Sequence, residues 1–125
     1  MNETKKKILV VDDEKDTVLM LTNILRRAQY DTLSASSGKE ALTLARSFSP
    51  DVIILDIVLG DMDGGDVAFE LSRDPATAHI PIIFLTGVLS KGEGSKIKTS
   101  GKRYVLAKPT TAEELFTVIN KVLPA

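Results

Sequence analysis

Residues 51–64 read Asp-Val-Ile-Ile-Leu-Asp-Ile-Val-Leu-Gly-Asp-Met-Asp-Gly. The run from Asp51 to Leu55 is nearly continuously apolar and rich in β-branched residues, the pattern of a strand buried on both faces. Asp56 then ends it, and the Gly- and Asp-rich stretch after it reads as a loop with a helix opening near Gly64. A doubly buried strand needs helices on both sides of its sheet, so this one stretch already points to an α/β fold.

Two further runs share that character. Residues 8–11 are followed by Asp12 and Asp13, and residues 80–85 are followed by Thr86. Weaker strands are predicted over about 32–35 and 104–107, the latter followed by Lys108. Helical patterns lie between them. Val18, Leu21, Leu25 and Ala28 share a face of the first, and Ala41, Leu44, Ala45 and Phe48 a face of the second. Ser37 with Glu40, and Thr110 with Glu113, have capping-box spacing. A third helix must stop by Pro75, and Leu115, Val118, Ile119 and Val122 stripe the last. A short helix is expected within 91–100, where Ile97 is the only large apolar residue and Gly92 and Gly94 lower helix propensity. Five βα units in succession imply a mostly parallel sheet covered on both faces, with ligands bound beyond the carboxyl ends of its strands.

The chain has 125 residues, enough for one domain over 1–125, and its 43% hydrophobic content supplies a core. A formal net charge of −1 argues against general attraction to nucleic acid or to an anionic membrane. No cysteine is present, which excludes disulfides and thiolate metal sites. Neither a signal peptide nor a spanning segment is recognisable, and a cytoplasmic location is expected.

Asp12, Asp13, Asp56, Thr86 and Lys108 all fall at strand ends on one edge of the expected sheet. A single Asp there is an ordinary turn residue. Three acids, a hydroxyl and an ammonium from four strand ends form a site. Clustered carboxylates raise one another's pKa unless a cation compensates, and magnesium, a hard oxygen-seeking ion, suits that task. Such a pocket could hold a phosphoryl group as a metal-bound ligand or covalently on an aspartate.

In this order and spacing, ILVVDDE (8–14), DVIILDIVLGDMDG (51–64), PIIFLTG (81–87) and VLAKP (105–109) resemble the receiver domain of two-component response regulators, the CheY-like family. The resemblance covers essentially the whole chain. It implies a flavodoxin-like, doubly wound, five-stranded parallel sheet of order 2-1-3-4-5 with five helices. Carried over by position, Asp56 is the phosphoacceptor and a Mg2+ ligand. Asp13 binds the metal directly, Asp12 mainly through water, and the Val58 carbonyl is a further ligand. Thr86 and Lys108 contact the phosphoryl oxygens, and the Lys108–Pro109 bond is cis. The implied donor is a sensor histidine kinase or a histidine phosphotransfer protein.

The chain departs from the family in several places. Leu59-Gly60 replaces the frequent Met-Pro, which implies a more flexible loop. Val105 holds the usual aromatic switch position, while Tyr104, one residue earlier, should face the other side of its strand. Val58 and Val88 would flank the phosphoryl group and could not orient an attacking water, which implies a long-lived aspartyl phosphate. Residues 91–103 carry Lys91, Lys96, Lys98, Lys102 and Arg103 against Glu93 alone. With the last helix they make a basic output face expected to meet a downstream protein partner.

Three functions compete at this point. The first is a signalling switch, not an enzyme, acting through protein contacts alone, as a stand-alone receiver or as the receiver of a longer protein. The second is a receiver-like scaffold that binds partners whether or not it is phosphorylated. The third is a small phosphatase, which lacks a general acid because Val58 stands two residues beyond Asp56. Other motifs fail: GDMDGGD lacks the glycine and glutamate of a calcium loop, with Ser72 at its twelfth position, no P-loop string occurs, and His79 is the only histidine.

Overall fold

The structure, a computed structural model, describes residues 5–87, 103–108 and 110–123. The short helix expected within 91–100, Val88, most of the basic segment and Pro109 with its expected cis bond lie outside the described residues.

Five strands and four helices follow one another along the described residues. They are β1 (Lys7–Val11), α1 (Lys15–Arg27), β2 (Asp31–Ala35), α2 (Gly38–Phe48), β3 (Val52–Asp56), α3 (Gly64–Arg73), β4 (Ile82–Thr86), β5 (Arg103–Ala107) and α4 (Ala112–Val122). The strands form one sheet in the order β2-β1-β3-β4-β5, and every neighbouring pair is parallel. The expected strand order is therefore the observed one. Strand bounds shift slightly for local reasons. β4 begins at Ile82 because Pro81 has no N–H to donate, although its carbonyl accepts the Ile53 N–H at 3.0 Å. Asp51 precedes β3, and its carboxylate takes the Lys7 N–H at 2.7 Å.

Side chains alternate across the sheet and divide the core in two. Leu9, Val11, Ile53, Leu55 and Ile82 face α2 and α3, packing on Ala41, Ala45, Val67, Ala68 and Leu71. Ile8, Val10, Val52, Ile54, Ile83 and Leu85 face α1 and α4, packing on Leu21, Leu25, Leu115 and Ile119. β1, β3 and β4 are buried almost throughout, whereas β2 and β5 are half exposed, as edge strands must be. This explains why the central strands read as unbroken apolar runs and the edges did not.

Three local expectations are corrected. Ala28 is exposed and caps α1, and Thr22 takes the core position instead, its hydroxyl donating to the Val18 carbonyl at 2.8 Å. The capping box of α4 uses Thr111 and Glu114, one residue later than Thr110 and Glu113, and both reciprocal bonds form. At α2 only half a box forms. Ser37 accepts the Glu40 N–H, but the Glu40 carboxylate turns to the Ser36 N–H at 2.8 Å.

The loop after β3 is tied at several points around Leu59-Gly60. Val58 bridges to Asp63, the Gly64 N–H reaches the Ile57 carbonyl at 2.7 Å, and Leu59 is buried. Asp61 accepts the Gly38 and Lys39 N–H groups at 2.8 and 3.0 Å, so it sits on the positive end of α2. Those backbone donors hold the Asp61 carboxyl below the usual carboxylate range. Sequence reading expected a looser loop here and missed this contact between distant elements.

Candidate functional site

β1 and β3 are neighbours at the point where strand order reverses, and their carboxyl ends open a crevice there. The chain leaving β1 supplies Asp12 and Asp13, and β3 ends on Asp56. Ligand oxygens from these three acids lie within 4.8 Å of one another. Asp12 and Asp56 are buried, while Asp13 is exposed at the mouth.

Each buried carboxylate is held by local structure. Asp12 Oδ1 accepts the Glu14 N–H at 2.9 Å, and Asp56 Oδ1 accepts the Val58 N–H at 3.2 Å. Lys108, just past β5, brings its ammonium to the centre of the pocket. It stands 2.8 Å from Asp12 Oδ2, 2.9 Å from Glu14 Oε1 and 3.1 Å from Asp56 Oδ2. The contacts to Glu14 and Asp56 are directed hydrogen bonds. Asp12 Oδ2 is buried and receives no directed hydrogen bond among the described residues, so its short contact with Lys108 is an ion pair alone. Coulomb attraction at that distance does not depend on where the proton points.

The charges perturb one another in opposite senses. Burial pushes the Asp56 carboxyl up, and the nearby Asp12 charge adds to this, while the Val58 N–H and Lys108 pull against it. For Lys108 burial opposes the charge, but its contacts with Asp12, Glu14 and Asp56 outweigh burial and hold it above the usual lysine range.

Because folding raises the Asp56 pKa, the unfolded chain loses this proton first as pH increases. Any stability from Asp56 is present below its unfolded value of about 4 and is lost as pH rises through its higher folded value. Asp56→Asn removes that titration. It is expected to raise stability at pH 7, and the melting temperature with it. Melting curves from pH 4 to 7 check this, and a variant less stable than wild type at pH 7 would refute it.

Of the other residues singled out in the sequence, the structure describes Thr86, Val58, Tyr104 and Val105. Thr86 is buried at the end of β4, paired in register with Ala107, and its carbonyl accepts the Lys108 N–H at 2.9 Å. Val58 is exposed beside the pocket. Tyr104 packs in the core between the sheet and α1 and α4, whereas Val105 faces the opposite side, lining a hollow of about 430 Å³ with Phe84, Ile57 and Val58. The aromatic residue therefore lies on the other face from Val105.

Glu14 is the site residue that sequence reading missed. It follows Asp12 and Asp13 directly, yet an exposed acid at a helix start is read as a favourable dipole partner, and nothing local signals a lysine 94 positions away.

A divalent cation fits this donor set. The ligands are hard carboxylate oxygens from three acids, and one buried oxygen, Asp12 Oδ2, receives no directed hydrogen bond among the described residues.

The family model for the response regulator receiver domain matches residues 8–120. The polar-differentiation response regulator DivK of Brucella ovis is 30% identical over 118 residues, covering 94% of this chain and 96% of DivK. The chemotaxis protein CheY4 of Vibrio cholerae superposes with a TM-score of 0.85 at 30% identity, over 96% of this chain and 100% of that one. The receiver domain of the sensor histidine kinase PA1611 from Pseudomonas aeruginosa superposes with a TM-score of 0.84 at 25% identity, over 95% of this chain and 98% of its own. That structure has a magnesium ion coordinated in its active-site cleft. A parallel sheet of this order, with an acidic crevice at its switch point, defines a CheY-like α/β domain. The chain belongs to the response regulator receiver domains of two-component signalling.

Proposed function

We propose that this receiver is a phosphorylation switch whose acceptor is Asp56, charged by a histidine kinase or a histidine phosphotransfer protein. The observation that carries the reading is the joint placement of three carboxylates within 4.8 Å and of the Lys108 ammonium 3.1 Å from Asp56 Oδ2. Asp12, Asp13 and Asp56 would hold a magnesium ion, with the Val58 carbonyl as a further ligand. When bound, that ion supplies positive charge to offset the phosphoryl oxygens.

In the transfer an Asp56 oxygen bonds to phosphorus as the phosphorus–nitrogen bond of the donor breaks. The electron pair returns to the donor imidazole. Lys108 offers its ammonium, and Thr86 its hydroxyl, to the phosphoryl oxygens. Both would act through fixed charge and dipole, which need no reorganisation during the step. The chain assists its own phosphorylation and signals through protein contacts, in a cytoplasmic setting. Among the described residues, no helix is long and apolar enough to cross a membrane. The basic segment 91–103 and the last helix are the proposed meeting surface for a downstream partner.

A second reading has one observation in its favour. Tyr104 and Val105 lie on opposite faces of β5, so no aromatic ring is available at the usual coupling position. A receiver without that coupling would serve as a phosphorylation-independent scaffold. Transfer from a radiolabelled phosphohistidine donor separates the two. Label should pass to the wild type and not to Asp56→Asn, and partner affinity should change with it. Partner affinity that is equal with and without label would favour the scaffold.

A further inference from the structure

We propose that Glu14 is a positioning residue: it holds the Lys108 ammonium over the pocket and yields it when a phosphoryl group reaches Asp56. The inference rests on Asp56 being the phosphoacceptor.

A lysine ammonium has three protons to donate. Around Lys108 three carboxylate oxygens already claim it, from Asp12, Glu14 and Asp56. Two of these contacts are directed hydrogen bonds and the third is charge alone, so a phosphoryl oxygen arriving at Asp56 competes with all three for the one ammonium. Asp12 is fully buried, with one oxygen fixed by the Glu14 N–H, and Asp56 carries the new group itself. The Glu14 side chain is 64% exposed, so its carboxylate recovers water on letting go. It is the contact with least to lose.

Glu14 is also placed unusually for its position in the helix. It is the N-cap of α1, yet its side chain makes no capping bond. The carboxylate reaches across to Lys108 instead. Its backbone still serves the helix, since its carbonyl accepts the Val18 N–H at 3.1 Å. Backbone and side chain thus have separate roles: one starts the helix and the other holds the lysine over the pocket.

Two effects follow. Before transfer, Glu14 keeps Lys108 extended over the crevice. During transfer, its charge at the mouth repels an anionic donor and competes with the phosphoryl oxygens for the ammonium. In Glu14→Gln both the repulsion and most of the competition are removed.

The test uses acetyl phosphate with magnesium for transfer, and the lysine 15Nζ resonance of Lys108 in metal-free protein for the contact itself. In transfer an Asp56 oxygen bonds to phosphorus, the bond from phosphorus to acetate oxygen breaks, and acetate departs with the electron pair. Glu14→Gln should form the adduct about fivefold faster at low ionic strength, the effect of one like charge a few ångströms away in a water-like dielectric. High salt should close that gap. The Lys108 Nζ signal should shift, and its protons should exchange faster with water. Asp16→Asn, which removes another exposed acid from the first turn of the same helix, should leave that signal in place. An unchanged Nζ signal in Glu14→Gln overturns the contact, and equal acceleration in Asp16→Asn overturns the specific role. No adduct in any variant would sink the phosphoacceptor reading and the yielding role with it, while the Nζ signal would still decide whether Glu14 holds Lys108.

Discussion

Lys108→Met is expected to lose about 3 kcal/mol of stability at pH 7, the usual scale for stripping the partner from buried charge. The methionine keeps an unbranched apolar stem and removes the cation. Asp12, with no exposed side-chain surface, and Asp56, with 6%, then face each other without compensation. Folding raises the Lys108 pKa, so its contribution holds from neutral pH up to about pH 10 and on the alkaline side is lost as pH rises through the folded value. The loss in the variant should therefore persist at neutral pH and shrink toward acid, where the carboxylates take up protons.

The same substitution should slow adduct formation by about a hundredfold, comparable with removing one fixed donor from a developing oxyanion. Magnesium should stabilise Lys108→Met more than wild type, because the metal no longer competes with a resident cation for the same oxygens. Urea unfolding with and without magnesium measures both terms. A variant as stable as wild type, with no extra response to the metal, would show that the ammonium does not compensate these acids.

Gly64→Ala is the second large effect, and its cause is steric. A Cβ at Gly64 would sit 2.8 Å from the Asp56 carbonyl oxygen and 2.8 Å from Ile57 Cα, closer than such atoms come. Both neighbours are backbone, so no side chain can swing away. Either α3 retreats or the chain leaving β3 moves, and the 2.7 Å bond from the Gly64 N–H to the Ile57 carbonyl is lengthened. A loss of about 2–3 kcal/mol is expected, in the upper range for overpacking, with slower phosphorylation because Asp56 belongs to the displaced segment. Gly60→Ala is the control: among the described residues nothing lies within 4 Å of its Cβ, and the change should stay within about 0.5 kcal/mol. Equal effects at the two glycines would refute the close approach.

The site was largely legible in the sequence because its residues punctuate strands. Asp12, Asp56 and Thr86 each directly follow or end a buried apolar run, and parallel strands bring those ends to one edge. Lys108 needed only the weaker edge strand to be placed. Features that depend on contacts between distant elements were not legible. Glu14 reaching Lys108, Asp61 on the start of α2 and the approach of Gly64 to β3 leave no periodic or local trace. Boundaries slipped for a related reason. Thr110 and Thr111 both precede an acid at the right spacing, and only the fold selects Thr111 with Glu114. Ala28 fits the apolar stripe of α1 by spacing, but the helix ends before that stripe can use it.

The central claim is that Asp56 accepts a phosphoryl group in this pocket. Intact-mass measurement after incubation with acetyl phosphate and magnesium tests it most directly. One phosphoryl adduct is expected on the wild type, dependent on magnesium and absent from Asp56→Asn. An adduct that persists in Asp56→Asn, or none on the wild type in the presence of magnesium, would contradict it.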